Sequence, residues 1–275
     1  MRSQKAVWKP LWCALVAAPA FCGVTHADDT SNTPGASGSD GSWAARAQAG
    51  YSKTGGTTDT TSFNGLFHIA HTVQQWKFLF GIEGHYGATG GQTTAQAWDG
   101  YLQANYNISD RLYWFGKLSD TSDKFSGFAF QQVISTGVGY QFINTDDTKL
   151  SAQVGIGERR LRPLLDLTFN DVGAIESYTE GSTEHDTVAD GQANFEHSFN
   201  AVTKIVAAYE INTGKLNTMQ TGNVSLVVKM SDLLGLSVSY SLVTNTNPPP
   251  GVGRSSSLES VNLVYTLKNK NLAPE

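Results

Sequence analysis

Ionisable residues recur in this chain at positions whose immediate neighbours are apolar. In an extended strand such residues share one face, and the apolar neighbours occupy the other. Acids and bases on this face are nearly balanced, so they could pair and fill an enclosed lumen, or oppose one another at the constriction of a polar pore. The candidates for this lining are Arg46, Lys77, Glu83, Asp99, Lys117, Asp190, Glu196, Lys204, Glu210 and Lys229, and Arg159 falls on the same face.

A second charged cluster accompanies the longest stretch without apolar periodicity, Leu161–Asp186. Arg159, Arg160 and Arg162 stand at its start, and acidic residues follow. Guanidinium groups bind phosphate through paired hydrogen bonds, and carboxylates can bridge divalent ions. The stretch is therefore predicted to be a loop that either contacts phosphorylated molecules or is simply solvated.

The histidines do not form a catalytic or metal site in the sequence. His68 and His71 are three residues apart in one predicted strand, so they face opposite sides and cannot share a metal. Glu83 and His85 share the polar face, but no serine is placed beside them by local spacing. The HEXXH, CXXC and GXSXG spacings are absent. We expect no catalytic residue, no metal and no cofactor.

The segment Trp76–Tyr86 shows best which elements must position these side chains. Trp76, Phe78, Phe80, Ile82 and Tyr86 alternate with Lys77, Glu83 and His85. The aromatic residues at the two ends of the apolar face are separated by about 20–25 Å along a membrane normal, at roughly 3.3 Å per residue and a tilt near 40°. This pattern predicts a strand that turns its apolar face to lipid.

Twelve such strands are predicted, and a count of ten or fourteen strands is the alternative. The connections alternate between short turns, such as Val73–Gln75, and mostly longer loops, such as Ala88–Thr94. No segment is apolar for 18 residues or more, so a spanning chain must close its strands into a ring. The expected fold is all-β, a transmembrane antiparallel up-and-down β-barrel over residues 42–268. A soluble periplasmic barrel is the alternative fold. The predicted strands are 42–53, 61–72, 76–87, 95–108, 112–119, 127–143, 150–160, 187–199, 203–212, 220–230, 236–245 and 257–268.

Glycines on the polar face are Gly81, Gly137, Gly139, Gly155 and Gly157. Because they have no side chains to fill a lumen, they favour a water-filled interior. Glycines in strands can also ease the curvature of a barrel.

The chain termini have different compositions from the barrel. Residues 1–27 are predicted to be a signal peptide, with Arg2, Lys5 and Lys9 ahead of an apolar stretch. Residues 28–41 are predicted to be a disordered lead-in and residues 269–275 a polar tail. Both cysteines lie in the predicted signal, which excludes thiol chemistry from the mature chain. The net charge of −5 makes nucleic acid an unfavourable partner.

Two segments resemble the YdiY-like family of salt-induced outer-membrane proteins, a domain of unknown function. They are Phe125–Arg160, with Gly137-Val138-Gly139-Tyr140 before a turn, and Val243–Leu267. The resemblance covers roughly residues 43–267. It implies an outer-membrane barrel and supplies no catalytic residues. The chain departs from the usual barrel pattern in ending its last strand at Leu267 without an aromatic residue.

These features together predict a non-enzymatic protein of the outer membrane of a Gram-negative bacterium, with both termini periplasmic. The expected partners are outer-membrane lipid, lipopolysaccharide and the barrel-assembly machinery. Three functions stay open. The first is a narrow channel for small polar solutes, the second a non-conducting structural barrel that supports the envelope under osmotic or salt stress, and the third an outer-membrane lipid hydrolase.

Overall fold

The computed structural model describes residues 41–55 and 59–268. The predicted signal peptide, nearly all of the predicted lead-in and the polar tail lie outside the described residues. No helix in this part of the chain is both long enough and apolar enough to cross a membrane.

Thirteen strands form a single antiparallel sheet. A 3-10 turn, Lys124–Ser126, follows the fifth strand. The strands are β1 Ser42–Thr54, β2 Thr60–Val73, β3 Trp76–Thr89, β4 Gln92–Asn107, β5 Leu112–Asp123, β6 Phe128–Asn144, β7 Thr148–Phe169, β8 Ile175–Glu180, β9 Glu184–Ser198, β10 Thr203–Gly214, β11 Thr218–Lys229, β12 Leu234–Asn245 and β13 Ser255–Lys268.

Twelve of these strands close into a barrel, as predicted. Each pairs with the next in the ring, β7 pairs with β9, and β13 returns to β1. The remaining strand, β8, pairs only with the last residues of β7 and lies outside the ring. Each of the twelve strands is thereby paired on both sides, with β1 and β13 paired from Ala44–Lys268 to Ala49–Leu263. Pairing on both sides satisfies the backbone groups of a sheet that sits in lipid.

The outward face of the ring is apolar and the inward face is polar, the reverse of a soluble protein. Ile134, Val154 and Ile156 point outward with 65%, 64% and 69% of their surface exposed. Lys77, Asp99 and Lys117 are buried inside. This arrangement confirms the predicted outer-membrane type of barrel.

One end of the barrel carries short turns, and we call it the turn end; the opposite end, which carries β8, is the loop end. At the loop end the predicted loops are partly wrong. The connection predicted as Ala88–Thr94 shrinks to Gly90–Gly91, whose φ angles are 59° and 79°. The loop predicted over Leu161–Asp186 contains the end of β7 and all of β8. Backbone pairing carries these hairpins beyond the apolar belt, where side-chain alternation no longer marks a strand.

The loops at the loop end fold over the barrel mouth. Phe125 and Met219 pack against Ala97 and Val243, and we call these four residues the mouth layer. Gly127, with φ at 84°, accepts a hydrogen bond of 2.8 Å from the Leu164 amide. A Cβ atom at Gly127 would lie 2.7 Å from the Pro249 ring, so only glycine allows this contact. An apolar layer therefore covers a polar interior.

Candidate functional site

An ion pair crosses the middle of the lumen. Lys117 on β5 and Glu210 on β10 are not on neighbouring strands, and their Nζ and Oε1 atoms are 2.9 Å apart. Asn212 donates a hydrogen bond of 2.9 Å to the same oxygen. The side chains are 1% and 15% exposed. Charges this deeply buried are stable only while both partners remain, because one alone would keep its desolvation cost.

Two more carboxylates flank this pair. Thr121 donates to Asp99, and Ser135 donates to Asp190 at 2.8 Å. Both carboxylates are buried. The centre of the lumen therefore holds more acidic than basic groups, and hydroxyl donors satisfy part of the excess.

A third charged group lies nearer the loop end. The Arg159 guanidinium donates to Asp186 at 2.8 Å and to the carbonyl oxygen of Asn217 at 3.0 Å. Asp186 also accepts from the amides of Lys215 and Leu216, each at 3.1 Å. These contacts hold the β10–β11 connection against the barrel wall.

A layer of amide side chains crosses the lumen toward the turn end. Gln153 accepts from Gln103 and from the Tyr113 hydroxyl, both at 3.2 Å, and donates to Gln192 at 3.0 Å. Gln103 also donates to Asn105 at 2.8 Å. Sequence reasoning missed this amide layer. The available signal was the repeated Gln and Asn at inward positions of β4, β7 and β9.

Three of the five inward glycines, Gly81, Gly139 and Gly155, have aromatic rings against them and do not leave space for water, contrary to the expectation from sequence. The Tyr101 ring lies against Gly81, and the Tyr113 ring lies against Gly139. A Cβ atom at Gly155 would lie 2.9 Å from the Phe115 ring. These glycines allow aromatic rings to lie flat on the barrel wall and fill the lumen, so their absence of side chains is used for packing.

Between the side chains of the described residues lie two polar cavities of about 40 Å³ each. Asp99, Arg159 and Glu210 line the first, and Arg46 and Glu83 line the second together with serine and asparagine side chains. A cavity of this size and polarity can hold a few water molecules.

The structure brings most of the predicted lining residues into the lumen. Lys204 and Glu196 approach to 3.8 Å. Lys229 is the exception. It is the last residue of β11, so its side chain is exposed at the turn end and donates a hydrogen bond of 2.9 Å to Asp232. The hydrogen bond from Lys229 lowers the pKa of Asp232. The residues that are buried inside are Arg46, Lys77, Asp99, Lys117 and Asp190, and those half-buried are Glu83, Glu196, Lys204 and Glu210.

The three arginines predicted at the start of a loop separate in the structure. All three lie in β7, and Arg159 points into the lumen, so it is wrong as a surface phosphate ligand. Arg160 points outward and is exposed. Arg162 also points outward, 3.0 Å from Glu180 and 5.2 Å from the Phe130 ring centre. Alternation along the strand explains the split, since neighbouring residues face opposite sides.

The histidines have separate structural surroundings. His68 lies inside with its ring 5.7 Å from that of Tyr101, and His71 stacks outside on Trp43 at 3.9 Å. Within residues 41–55 and 59–268, no three histidine, cysteine, aspartate or glutamate side chains are arranged to hold a metal ion.

Comparisons with known proteins identify the family to which the chain belongs. A family model described as "Protein of unknown function, DUF481" matches residues 47–267. The chain is 25% identical over 150 residues to the uncharacterized protein YdiY of Escherichia coli K12, covering 54% of this chain and 52% of that protein. It therefore spans about half the length of this curated relative.

Solved barrels are similar at low identity. The NanC porin matches with a TM-score of 0.46 and 10% identity, covering 81% of this chain and 99% of the porin. The translocator domain of the autotransporter NalP from Neisseria meningitidis matches with a TM-score of 0.43 and 12% identity, covering 82% of this chain and 87% of that domain.

Proposed function

This chain belongs to the DUF481 family of proteins of unknown function, and from that premise we propose that it is a non-enzymatic outer-membrane barrel whose sealed lumen stiffens the cell envelope. Of the functions that the sequence leaves open, the geometry favours the non-conducting structural barrel. The single observation that carries this choice is the buried Lys117–Glu210 pair across the lumen.

The apolar outward face supports the membrane placement. Residues such as Leu102, Val138 and Val261 are 54%, 47% and 61% exposed, and together with their neighbours they surround the ring. A continuous apolar surface of this extent is unfavourable in water and favourable in lipid. We place the turn end and both chain termini in the periplasm, because short turns face that side in such barrels. Insertion by the barrel-assembly machinery follows from this placement.

Three layers of side chains support the sealed lumen. The amide layer lies toward the turn end, the Lys117–Glu210 pair lies near the middle, and the mouth layer lies at the loop end. Each joins or covers strands that are not neighbours in the ring, so each stiffens the barrel as well as obstructing it.

The test combines conductance with stability. In planar bilayers we expect the refolded wild-type protein to show no steady conductance at low voltage; a constant open conductance would contradict the proposal. In urea titrations in lipid vesicles, Lys117→Met should lower the free energy of unfolding by about 3–5 kcal/mol, and the double variant Lys117→Met with Glu210→Met should recover most of it. Lys229→Met, at an exposed position, is the matched control.

A gated narrow channel is the second candidate, and the covered mouth favours it specifically. The interior below the mouth layer is polar on every strand and includes two cavities of water-holding size. Phe125→Ser with Met219→Ser would remove the two large side chains of the mouth layer. Conductance that appears only in this variant would support the gated channel over the permanently sealed barrel.

Outer-membrane lipid is the partner that the surface supports. Arg160 points outward on the loop-end side of the apolar belt. Its side chain makes no hydrogen bond or ion pair within the described part of the chain. Nearby acids are engaged: Glu158 lies 3.1 Å from His185, and Asp120 accepts from Gln132 at 2.9 Å. We therefore assign a lipopolysaccharide phosphate contact to Arg160, with Arg162 beside it.

A further inference from the structure

The seam where the ring closes is paired along only part of its length. Pairing between β1 and β13 ends at Ala49 and Leu263. Beyond this point β1 remains paired with β2 as far as Thr54, and β13 remains paired with β12 from Ser255 onward. The loop-end portions of β1 and β13 are thus each held by one neighbour and are not joined to each other.

A cavity of about 630 Å³ lies at this gap and is lined from both faces of the wall. Residues that point into the lumen contribute hydroxyl, amide and imidazole groups. Residues that point outward contribute mostly apolar side chains, together with Tyr51, Tyr240 and the carboxylate of Glu259. The inward set is Ser52, Ser62, Asn64, His85, Ser239, Leu258 and Ser260, and the outward set is Tyr51, Ile205, Val224, Leu226, Val238, Tyr240, Glu259 and Val261. The gap therefore connects the interior with the lipid-facing surface.

The cavity has a defined floor toward the turn end. Asn64 on β2 donates a hydrogen bond of 2.7 Å to Asn262 on β13, directly across the seam. A side chain on Gly50 would collide with both asparagines, so glycine permits this bridge. The seam is closed below the bridge and open above it.

One lining residue has unused hydrogen-bonding capacity. His85 is 8% exposed, and its Nδ1 atom has no hydrogen-bond partner within the described residues. The other inward groups are neutral hydroxyls, one amide and the apolar side chain of Leu258. A buried polar atom in this position favours a ligand with a hydrogen-bonding head group.

We propose that this lateral opening binds a single-chain amphiphile from the outer leaflet. Its acyl chain lies against the outward apolar residues, and its uncharged, hydroxyl-bearing head group points inward to His85 and Asn64. A volume of about 630 Å³ is in the range of sites that enclose one small ligand. The inference rests on the proposed membrane placement and is independent of whether the lumen conducts.

The sequence of the seam also fits a closed state. Continuing the observed register would set Tyr51 opposite Val261, Ser52 opposite Ser260, and Lys53 opposite Glu259. Lys53 and Glu259 carry opposite charges, and opposite charges at facing positions stabilise the pairing of two strands. The amphiphile therefore competes with strand pairing at these positions.

Paired cysteines test this competition in the full chain with Cys13 and Cys22 replaced by serine. The test pair is Ser52→Cys with Ser260→Cys, and the control pair is Gln48→Cys with Val264→Cys, in the paired part of the seam. The probe is radiolabelled monolauroylglycerol in dioleoylphosphatidylcholine vesicles. We expect the probe to slow disulfide formation in the test pair by about tenfold or more and to leave the control pair unchanged.

Binding measurements on the same proteins complete the test. Oxidising the test pair should reduce monolauroylglycerol binding by about tenfold or more, and reduction should restore it; His85→Ala should weaken binding by a similar factor. Equal effects of the probe on both cysteine pairs, or full binding by the locked barrel, would overturn the inference. Failure to insert into vesicles would overturn the membrane placement with it, whereas steady conductance would contradict only the sealed lumen.

Discussion

Asp123 is the buried carboxyl group that caps the 3-10 turn at the loop end, above the apolar belt. It accepts a hydrogen bond of 2.9 Å from the Phe125 amide, and burial raises its pKa to about 8. In the unfolded chain the pKa of an aspartate is about 3.9. The folded state therefore holds a proton that the unfolded state releases, and stability falls as the pH rises from about 4 to about 8.

We expect Asp123→Asn to remove this slope, which reaches about 1.4 kcal/mol per pH unit for one proton. Asparagine keeps the oxygen that caps the turn. The measurement is the urea midpoint of the refolded barrel across that pH range. Asp146→Asn, at an exposed turn position, is the control. An unchanged slope in the Asp123 variant would show that another group binds the proton.

Arg160 provides the residue-scale test of lipid contact. Arg160→Gln should weaken binding of purified lipopolysaccharide to barrels in phosphatidylcholine nanodiscs by about tenfold, because a charge-assisted hydrogen bond to phosphate is lost. Arg111→Gln changes the net charge equally at the turn end and should have little effect. If both variants bind equally weakly, net charge and not a local contact controls binding.

Individual side chains could be assigned to a face from the sequence but not to a partner. Alternation placed Lys117 and Glu210 inside, because strand periodicity is local. Their pairing across the ring depends on strand tilt and stagger, which no local pattern records. The same limit applies to Gly139, whose role depends on the Tyr113 ring on a neighbouring strand.

Strand β3 allows the lipid-facing assignment to be tested at the scale of one element. Phe80→Arg, near the middle of the apolar face, should lower the free energy of unfolding in lipid by about 2–4 kcal/mol. Trp76→Arg, at the turn end of the same strand, should cost about 0–1 kcal/mol, because its charge can reach the interface. Equal losses at both sites in a lipid-refolding titration would count against this orientation of β3.

Strands were predictable where they cross the apolar belt and unpredictable beyond it. The alternation of Trp76, Phe78 and Phe80 is a direct consequence of lipid on one side and polar groups on the other. The end of β7 and all of β8 have no such constraint. Their pairing depends on contacts with the mouth, such as the hydrogen bond from Leu164 to Gly127.

The orientation of the whole barrel follows from which end faces the medium. An epitope inserted at Asp171, in the tip between β7 and β8, should be labelled on intact cells. An epitope at Asn200, in a short turn, should be labelled only after the outer membrane is permeabilised. The tip is a better insertion point than Glu176, which lies within β8. Labelling of Asn200 alone on intact cells would reverse the proposed orientation.

The pairing of Ala44 with Lys268 makes the two ends of the barrel chain neighbours. A ring whose ends meet has no intrinsic first strand, so its covalent break can be moved. A circular permutant that joins Lys268 to Ser42 through a short glycine linker and begins at Asp232 should refold to the same ring. Cysteine cross-linking in this permutant would show what opens the wall. A gap that persists beside Tyr51 is encoded by the residues there, whereas a gap that moves to the new ends is a consequence of where the polymer is cut.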